Sequence, residues 1–195
     1  MVMAEATNHY FKHLGVSDGL SQVCIPSIYQ DELGAVWLGT TEGLNRYNGK
    51  DVKVFQPSES NHGLTNNEIN ELCGDKNGRM YIRSGNDLIK LDIYTEQFTC
   101  LRQKGVYGLF CKKDTLWVSC ADGIYYYTGQ GTELTFFARV QKGFVGRALY
   151  VDKETVWVVT RKYLVAISRE DPLRQEILLT LDKGNCILGD SSGNI

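Results

Sequence analysis

Few residues in this 195-residue chain have the chemistry to act as catalysts or ligands. His9 and His13 flank a short apolar run, and His62 lies in the polar stretch Pro57 to Asn67. Neither G-x-S-x-G nor H-E-x-x-H occurs, so a serine-hydrolase elbow and a zinc-protease helix both lack their residues. The six cysteines, at 24, 73, 100, 111, 120 and 186, contain no C-x-x-C pair. A redox motif or zinc ribbon therefore has no support, and the cysteines read as small apolar residues in strands. An even count also suits disulfides in an oxidising compartment. Cys111 and Cys120 fall on the two arms of a hairpin turning near Asp114, where bonding requires them in register. Asp75-Lys-Asn-Gly78 opens like a calcium loop, but about five further ligands, ending in a bidentate Glu, would have to follow. They do not, so the segment reads as a turn, and neither a metal nor a cofactor is expected.

The elements that must position any site follow from composition and repeats. Lys+Arg number 21 against 23 Asp+Glu, a net charge of −2, which removes the basic face that nucleic acid needs. Charged residues at 23% and hydrophobic residues at 43% are ordinary for a globular domain. Gly at 20, Pro at 3 and 11% aromatics favour short strands joined by tight turns. No apolar run reaches the roughly 18 residues of a membrane span, so no membrane contact is expected. Met1 to Asn8 has neither a basic nor an apolar leader segment and reads as a tail or cloning remnant.

The chain repeats itself. Ile25, Ile28, Asp31, Gly34, Trp37, Thr40, Leu44 and Tyr47 return 44 residues later as Ile69, Leu72, Asp75, Gly78, Tyr81, Ser84, Leu88 and Leu91. Gly19-Leu20-Ser21 returns as Gly63-Leu64-Thr65, and Phe11, Phe55 and Phe98 keep the same spacing to within one residue. Leu109, Trp117, Ile124 and Tyr127 form a third copy, and Leu149, Trp157, Leu164 and Ile167 a fourth. Asp190-Ser-Ser-Gly193 begins a fifth. Each unit reads as four strands. In the first, turns at Asp31 to Gly34 and Thr41 to Gly43 precede the hairpin signal Asn48-Gly49. Four antiparallel strands at a period of about 40 mark a β-propeller blade.

The expected fold is all-β: a partial β-propeller of about four four-stranded antiparallel blades, plus terminal strands of incomplete blades. The expected boundaries are a tail over 1–8, an outer strand of a closing blade over 9–14, blades over 19–58, 63–102, 105–139 and 144–181, and the start of a fifth over 185–195. Roughly half of a ring would then be missing, and the uncovered edges of such a fragment should self-associate.

The first copy, G-L-S…I-x-x-I-x-Q-D-x-x-G-x-V-W-L-G-T-x-x-G-L-N-R-Y-N-G, closely resembles the two-component-regulator propeller repeat. The likeness is strong over Gly19 to Phe55, good over Gly63 to Phe98, and degraded over 105–181. The resemblance implies the N-terminal part of the periplasmic sensor region of a hybrid two-component system of the Bacteroidetes type. In that family the propellers precede a membrane span, a histidine kinase and a receiver, none of which this chain contains. By resemblance, these residues would sense oligosaccharides released from polysaccharides and would carry no enzyme activity. A protein-interaction scaffold and a glycan-cleaving propeller enzyme are the alternatives.

The repeat residues themselves read as structural. Trp37, Tyr81, Trp117 and Trp157 occupy one position, suited to wedging neighbouring blades apart, and Asp31, Gly34, Asp75 and Gly78 form turns. Ligand recognition would use departures from the repeat. Arg83 replaces the Gly39 position, and Arg161, Lys162 and Tyr163 replace Thr41, Glu42 and Gly43. Arginine offers bidentate donors to an acidic or hydroxyl-rich ligand, and Tyr163 a ring for a sugar face. Both turns are expected on the same rim, alongside the loop from Gln56 to Asn67.

Overall fold

The computed structural model describes residues 12–58, 63–141, 145–190 and 195. Each repeat folds into one four-stranded antiparallel sheet with strands in chain order. Blade 1 comprises β1 (Ser27–Gln30), β2 (Val36–Thr40), β3 (Gly43–Tyr47) and β4 (Val52–Phe55). Blade 2 comprises β5 (Ile69–Gly74), β6 (Arg79–Ser84), β7 (Asp87–Asp92) and β8 (Gln97–Arg102). Blade 3 comprises β9 (Val106–Lys112), β10 (Thr115–Cys120), β11 (Gly123–Tyr127) and β12 (Thr135–Ala138). Blade 4 comprises β13 (Ala148–Val151), β14 (Thr155–Val159), β15 (Tyr163–Ser168) and β16 (Gln175–Thr180). The first strand of each blade is innermost: β1 packs on β5, β5 on β9 and β9 on β13. The ring is not closed by the described residues.

Three apolar cores fill the spaces between blades. Trp37, Leu44 and Phe55 of blade 1 meet Ile69, Leu72, Met80 and Ile82 of blade 2. Tyr81 and Leu88 meet Val106, Leu109 and Leu116, and Trp117 and Ile124 meet Leu149, Val151, Val156 and Val158. The wedge aromatics Trp37, Tyr81 and Trp117 are buried. Trp157 is half-buried, on a face of blade 4 that no other described blade covers. Inner strands do not pair as a sheet, so their edge amides need other acceptors. The Leu72 N–H donates to Ser27 Oγ at 2.9 Å, and the Leu109 N–H to Glu71 Oε2 at 3.1 Å.

The turn residue Asp31 explains the repeat's Asp-to-Trp spacing. Its Oδ1 accepts the amides of Leu33 and Ala35, at 3.0 and 2.9 Å, while Oδ2 accepts the Trp37 indole N–H at 2.7 Å. One buried carboxylate thus ties the first hairpin to the wedge. In blade 4, Asp152 plays the same part: its Oδ2 takes the Trp157 indole at 2.6 Å and its Oδ1 the amides of Glu154 and Thr155. In blade 2 the wedge is Tyr81, which has no indole, and Arg79 pairs with Asp75 instead.

Three sequence expectations meet a different structure. Cys111 lies opposite Leu116, and Cys120 opposite Val106, so the two cysteines do not face each other. The hairpin register separates them by four residues along the strand. Of the outer strand expected over 9–14, residues 9–11 lie outside the described residues, as does the tail over 1–8, and 12–14 are not in a strand. The first strand of the fifth unit is also absent over 185–190, where no neighbouring strand supplies a hydrogen-bonded ladder.

Trp37→Phe keeps the wedge but strips the buried Asp31 of a donor. It should cost about 1–3 kcal/mol in urea unfolding, against about 3–5 kcal/mol for Trp37→Ala. Acid should act at blade 4. Burial works to raise the Asp152 carboxyl, but the Trp157 indole and the two amides outweigh it and hold it below the usual carboxylate value. A depressed folded value adds stability that is present above the unfolded value and lost as pH falls through the folded one. Asp152→Asn should therefore cost stability near neutral pH, and its deficit should shrink as pH falls below about 4, which flattens the stability-against-pH curve there.

Candidate functional site

One rim of the propeller is built from two kinds of connection: the second hairpin turn of each blade and the link to the next blade. Backbone bonds knit them together. The Gly85 N–H donates to Glu68 O at 2.7 Å, Ala121 N–H to Gly105 O at 2.8 Å, and Arg147 N–H to Val159 O at 2.7 Å. A hydroxyl near the end of each second strand secures the rim. Thr40 Oγ1 accepts the Glu42 amide, Ser84 Oγ bonds Asn66, and Ser119 Oγ donates to Gly146 O at 2.7 Å. Thr160 Oγ1 accepts the Tyr163 and Lys162 amides, at 2.9 and 3.3 Å, and so fixes the two-residue turn Arg161-Lys162.

That turn borders a cavity of about 420 Å³ lined by Tyr107, Val145, Arg147, Thr160, Arg161 and Lys162. Arg147, Arg161 and Lys162 are exposed, Thr160 is buried, and Tyr107 is 37% exposed. Three cations with no acid among the six lining residues form a local positive field in a chain of net charge −2. The arginine forks and the Tyr107 ring can receive an anionic group beside an apolar or sugar face. Gly146 lets the preceding link approach closely: a Cβ there would stand 2.6 Å from Ser119 Oγ and 2.7 Å from Val158 Cγ1.

A larger hollow of about 630 Å³ lies on the uncovered face of blade 4. Its lining contains Lys153, Arg169 and Arg174 beside Glu154, Glu170 and Glu176. Those charges compensate one another, so it selects no ligand charge.

The structure brings Arg161 and Lys162 together and separates them from the other two candidates. The Arg83 guanidinium turns inward, with Nε 3.4 Å from Glu71 Oε2 and Nη1 3.2 Å from Gly85 O. It forms part of a clasp between blades 2 and 3, since the same Glu71 oxygen accepts the Leu109 amide. Burial pushes the Glu71 carboxyl up against the opposing pull of Arg83 and that amide. Tyr163 packs against the core between blades 3 and 4 rather than lining the cavity. Tyr107 and Arg147 were not foreseen. Tyr107 lies within an inner strand, and Arg147 follows a link too irregular for the repeat to predict. The wedge and turn residues Trp37, Tyr81, Trp117, Trp157, Asp31, Gly34, Asp75 and Gly78 lie outside this cavity. Among the described residues, no cluster of three or more His, Cys, Asp or Glu side chains suits a metal.

Comparison with known proteins bears on this arrangement. Residues 19–42, the entry into blade 1 and its first hairpin, match the family described as Two component regulator propeller. A 53-residue stretch is 40% identical to Histidine kinase P4 of Formosa agariphila, covering 27% of this chain and 4% of that protein. Among solved structures, the extracellular domain described as that of hybrid two component system BT3049 from B. thetaiotaomicron superposes with a TM-score of 0.74. The identity is 21%, over 86% of this chain and 26% of that one. The extracellular domain of BT4673, from the same organism, gives a TM-score of 0.66 at 21% identity, over 87% and 24%. The fold is thus that of a propeller, and this chain spans about a quarter of each of those ectodomains.

Gly146→Ala should displace the link that carries Arg147 and cost about 1–3 kcal/mol. A urea titration read against Gly131→Ala, whose Cβ would meet nothing within 4 Å, separates the steric cost from the cost of the positive φ at Gly131 (72°).

Proposed function

We propose that this chain is part of the extracytoplasmic, periplasmic sensor propeller of a hybrid two-component receptor, and that it takes part in recognising polysaccharide-derived oligosaccharides. The repeat match over residues 19–42 carries the reading, because that segment forms the inner hairpin on which blade 1 is built. The superposition on extracellular domains of hybrid two-component systems supports it. Within the chain, the cavity beside Arg161 and Lys162 is the favoured contact point, and its charge favours an acidic sugar over a neutral one.

The same geometry gives no support to catalysis. A glycosidase needs two carboxyl groups about 5–9.5 Å apart across the bond to be cleaved, and none of the six residues lining this cavity is acidic.

A calorimetric and thermal-shift panel of neutral and uronate-containing oligosaccharides tests the proposal. A ligand at about 100 times its Kd should stabilise the folded chain by about 2.7 kcal/mol. Arg147→Ala, Arg161→Ala and Lys162→Ala should each weaken an acidic ligand by about tenfold, the worth of a charge-assisted hydrogen bond. Neutral sugars should respond less. No shift across the panel would move the reading to a protein-interaction scaffold, and release of a cleaved product would move it to an enzyme.

A further inference from the structure

The inner strands of successive blades touch through one recurring contact. In blade 1, Tyr29 lies over Gly74 of β5: a Cβ on that glycine would fall 2.2 Å from the Tyr29 hydroxyl oxygen. Beyond blade 4, Tyr150 lies over Gly189 in the same way, with the ring 2.2 Å from where a Cβ would be. At both junctions a tyrosine ring lies over bare backbone of the next unit. Between blades 2 and 3 the pairing is different. Cys73 takes the place of the tyrosine and Cys111 that of the glycine, and their sulfurs stand 2.7 Å apart. The contact has exchanged a large residue over none for two small residues of equal size, and both carry thiols.

We propose that Cys73 and Cys111 form a disulfide that staples the inner strands of blades 2 and 3. Both side chains are half-buried, and β5 and β9 are already held together by the Leu109 amide on Glu71, so the two sulfurs are held together before any bond forms. Their separation of 38 residues closes a loop of the size at which cross-linking restrains the unfolded chain well. The other four cysteines are placed differently. Cys24 and Cys186 are exposed, Cys100 packs on the core between blades 1 and 2, and Cys120 is buried in the core between blades 2 and 3.

The oxidant is an acceptor disulfide, oxidised glutathione in the test tube or a dithiol oxidase outside the cytoplasm. One thiol of the pair, as its thiolate, attacks the acceptor, forms a mixed disulfide and releases one thiolate of the acceptor. The other thiolate of the pair then displaces the second. Two protons and two electrons leave the protein, and one acceptor disulfide becomes two thiols. The geometry is independent of the ligand reading above and shares with it only an oxidising compartment.

The test is oxidation of the folded chain with oxidised glutathione, followed by tryptic mapping without reductant. The expected product joins peptide 54–76 to peptide 105–112, each of which contains one cysteine of the pair. Thiol titration in denaturant should fall by two from the six of the reduced chain. The melting temperature of the oxidised chain should rise by roughly 5–10 °C and return on reduction. Cys73→Ala and Cys111→Ala should each abolish the linked peptide and the redox-dependent rise. Retention of all six thiols, or linkage only through Cys24 or Cys186, would overturn the proposal. The comparison of oxidised with reduced wild-type chain decides it even if a variant fails to fold. Glycan binding is measured separately, so loss of one reading leaves the other standing.

Discussion

The buried carboxylate of Asp31, bonded to its own turn and to the Trp37 indole, is the contact on which the blade geometry rests. A propeller blade has two tasks in conflict. It must turn sharply after its inner strand, which leaves amides unpaired, and it must present a large ring to the next blade. Asp31 meets both demands with one side chain. Its burial at 4% exposure is tolerable only because both oxygens are occupied. Where the wedge changes, the partner changes with it. Tyr81 offers no indole, so Arg79 approaches Asp75, and the buried Tyr81 hydroxyl has no hydrogen-bond partner among the described residues. In blade 3 the clamp gives way to aromatic packing: Trp117 meets Phe137 edge-on at 5.0 Å, with Arg169 over its ring.

That clamp also fixes the opposite rim. Trp37 and Thr40 are three residues apart on β2, as are Tyr81 and Ser84 on β6, and Trp157 on β14 stands three residues before Thr160, which follows that strand. An extended strand carries about 10 Å over that interval. Locking the ring at one end therefore sets where the hydroxyl and its turn stand at the other. Arg161 and Lys162 inherit their position from Trp157 and Asp152 without touching either.

Much of this was legible in the sequence. The four blades follow from period and turn chemistry, because Asp, Gly and Asn-Gly dictate local backbone whatever the tertiary context. Asp152 was missed because its turn is one residue shorter than that of Asp31, which shifts the aspartate off the repeat register. The pairing of Cys111 with Cys120 failed for a different reason. A hairpin of known arms still has an unknown register, and the turn at Lys113 and Asp114 sets it to oppose Cys111 with Leu116. Arg83 showed as a departure from the repeat, but no one-dimensional pattern reveals that Glu71 on the neighbouring strand draws it inward. The joining of Tyr107 to Arg147 and Arg161 crosses two blades and depends on packing alone.

The blades differ in the charge of their second turns. Blade 1 keeps the repeat most faithfully, and its second turn is Thr41-Glu42-Gly43, a small and acidic surface. Blade 4 keeps the same strand order and the same hydroxyl, yet presents Arg161-Lys162-Tyr163 in the same place. The sign of the turn's charge reverses while the scaffold beneath it is unchanged. Selection for folding alone would not demand that reversal, because the backbone of the turn is already held by Thr160. The added cations are exposed, so they contribute little to stability through surface pairing. Their position beside Arg147 and Tyr107, in a cavity with no neutralising acid among its lining residues, is what an anion would meet on approaching this face.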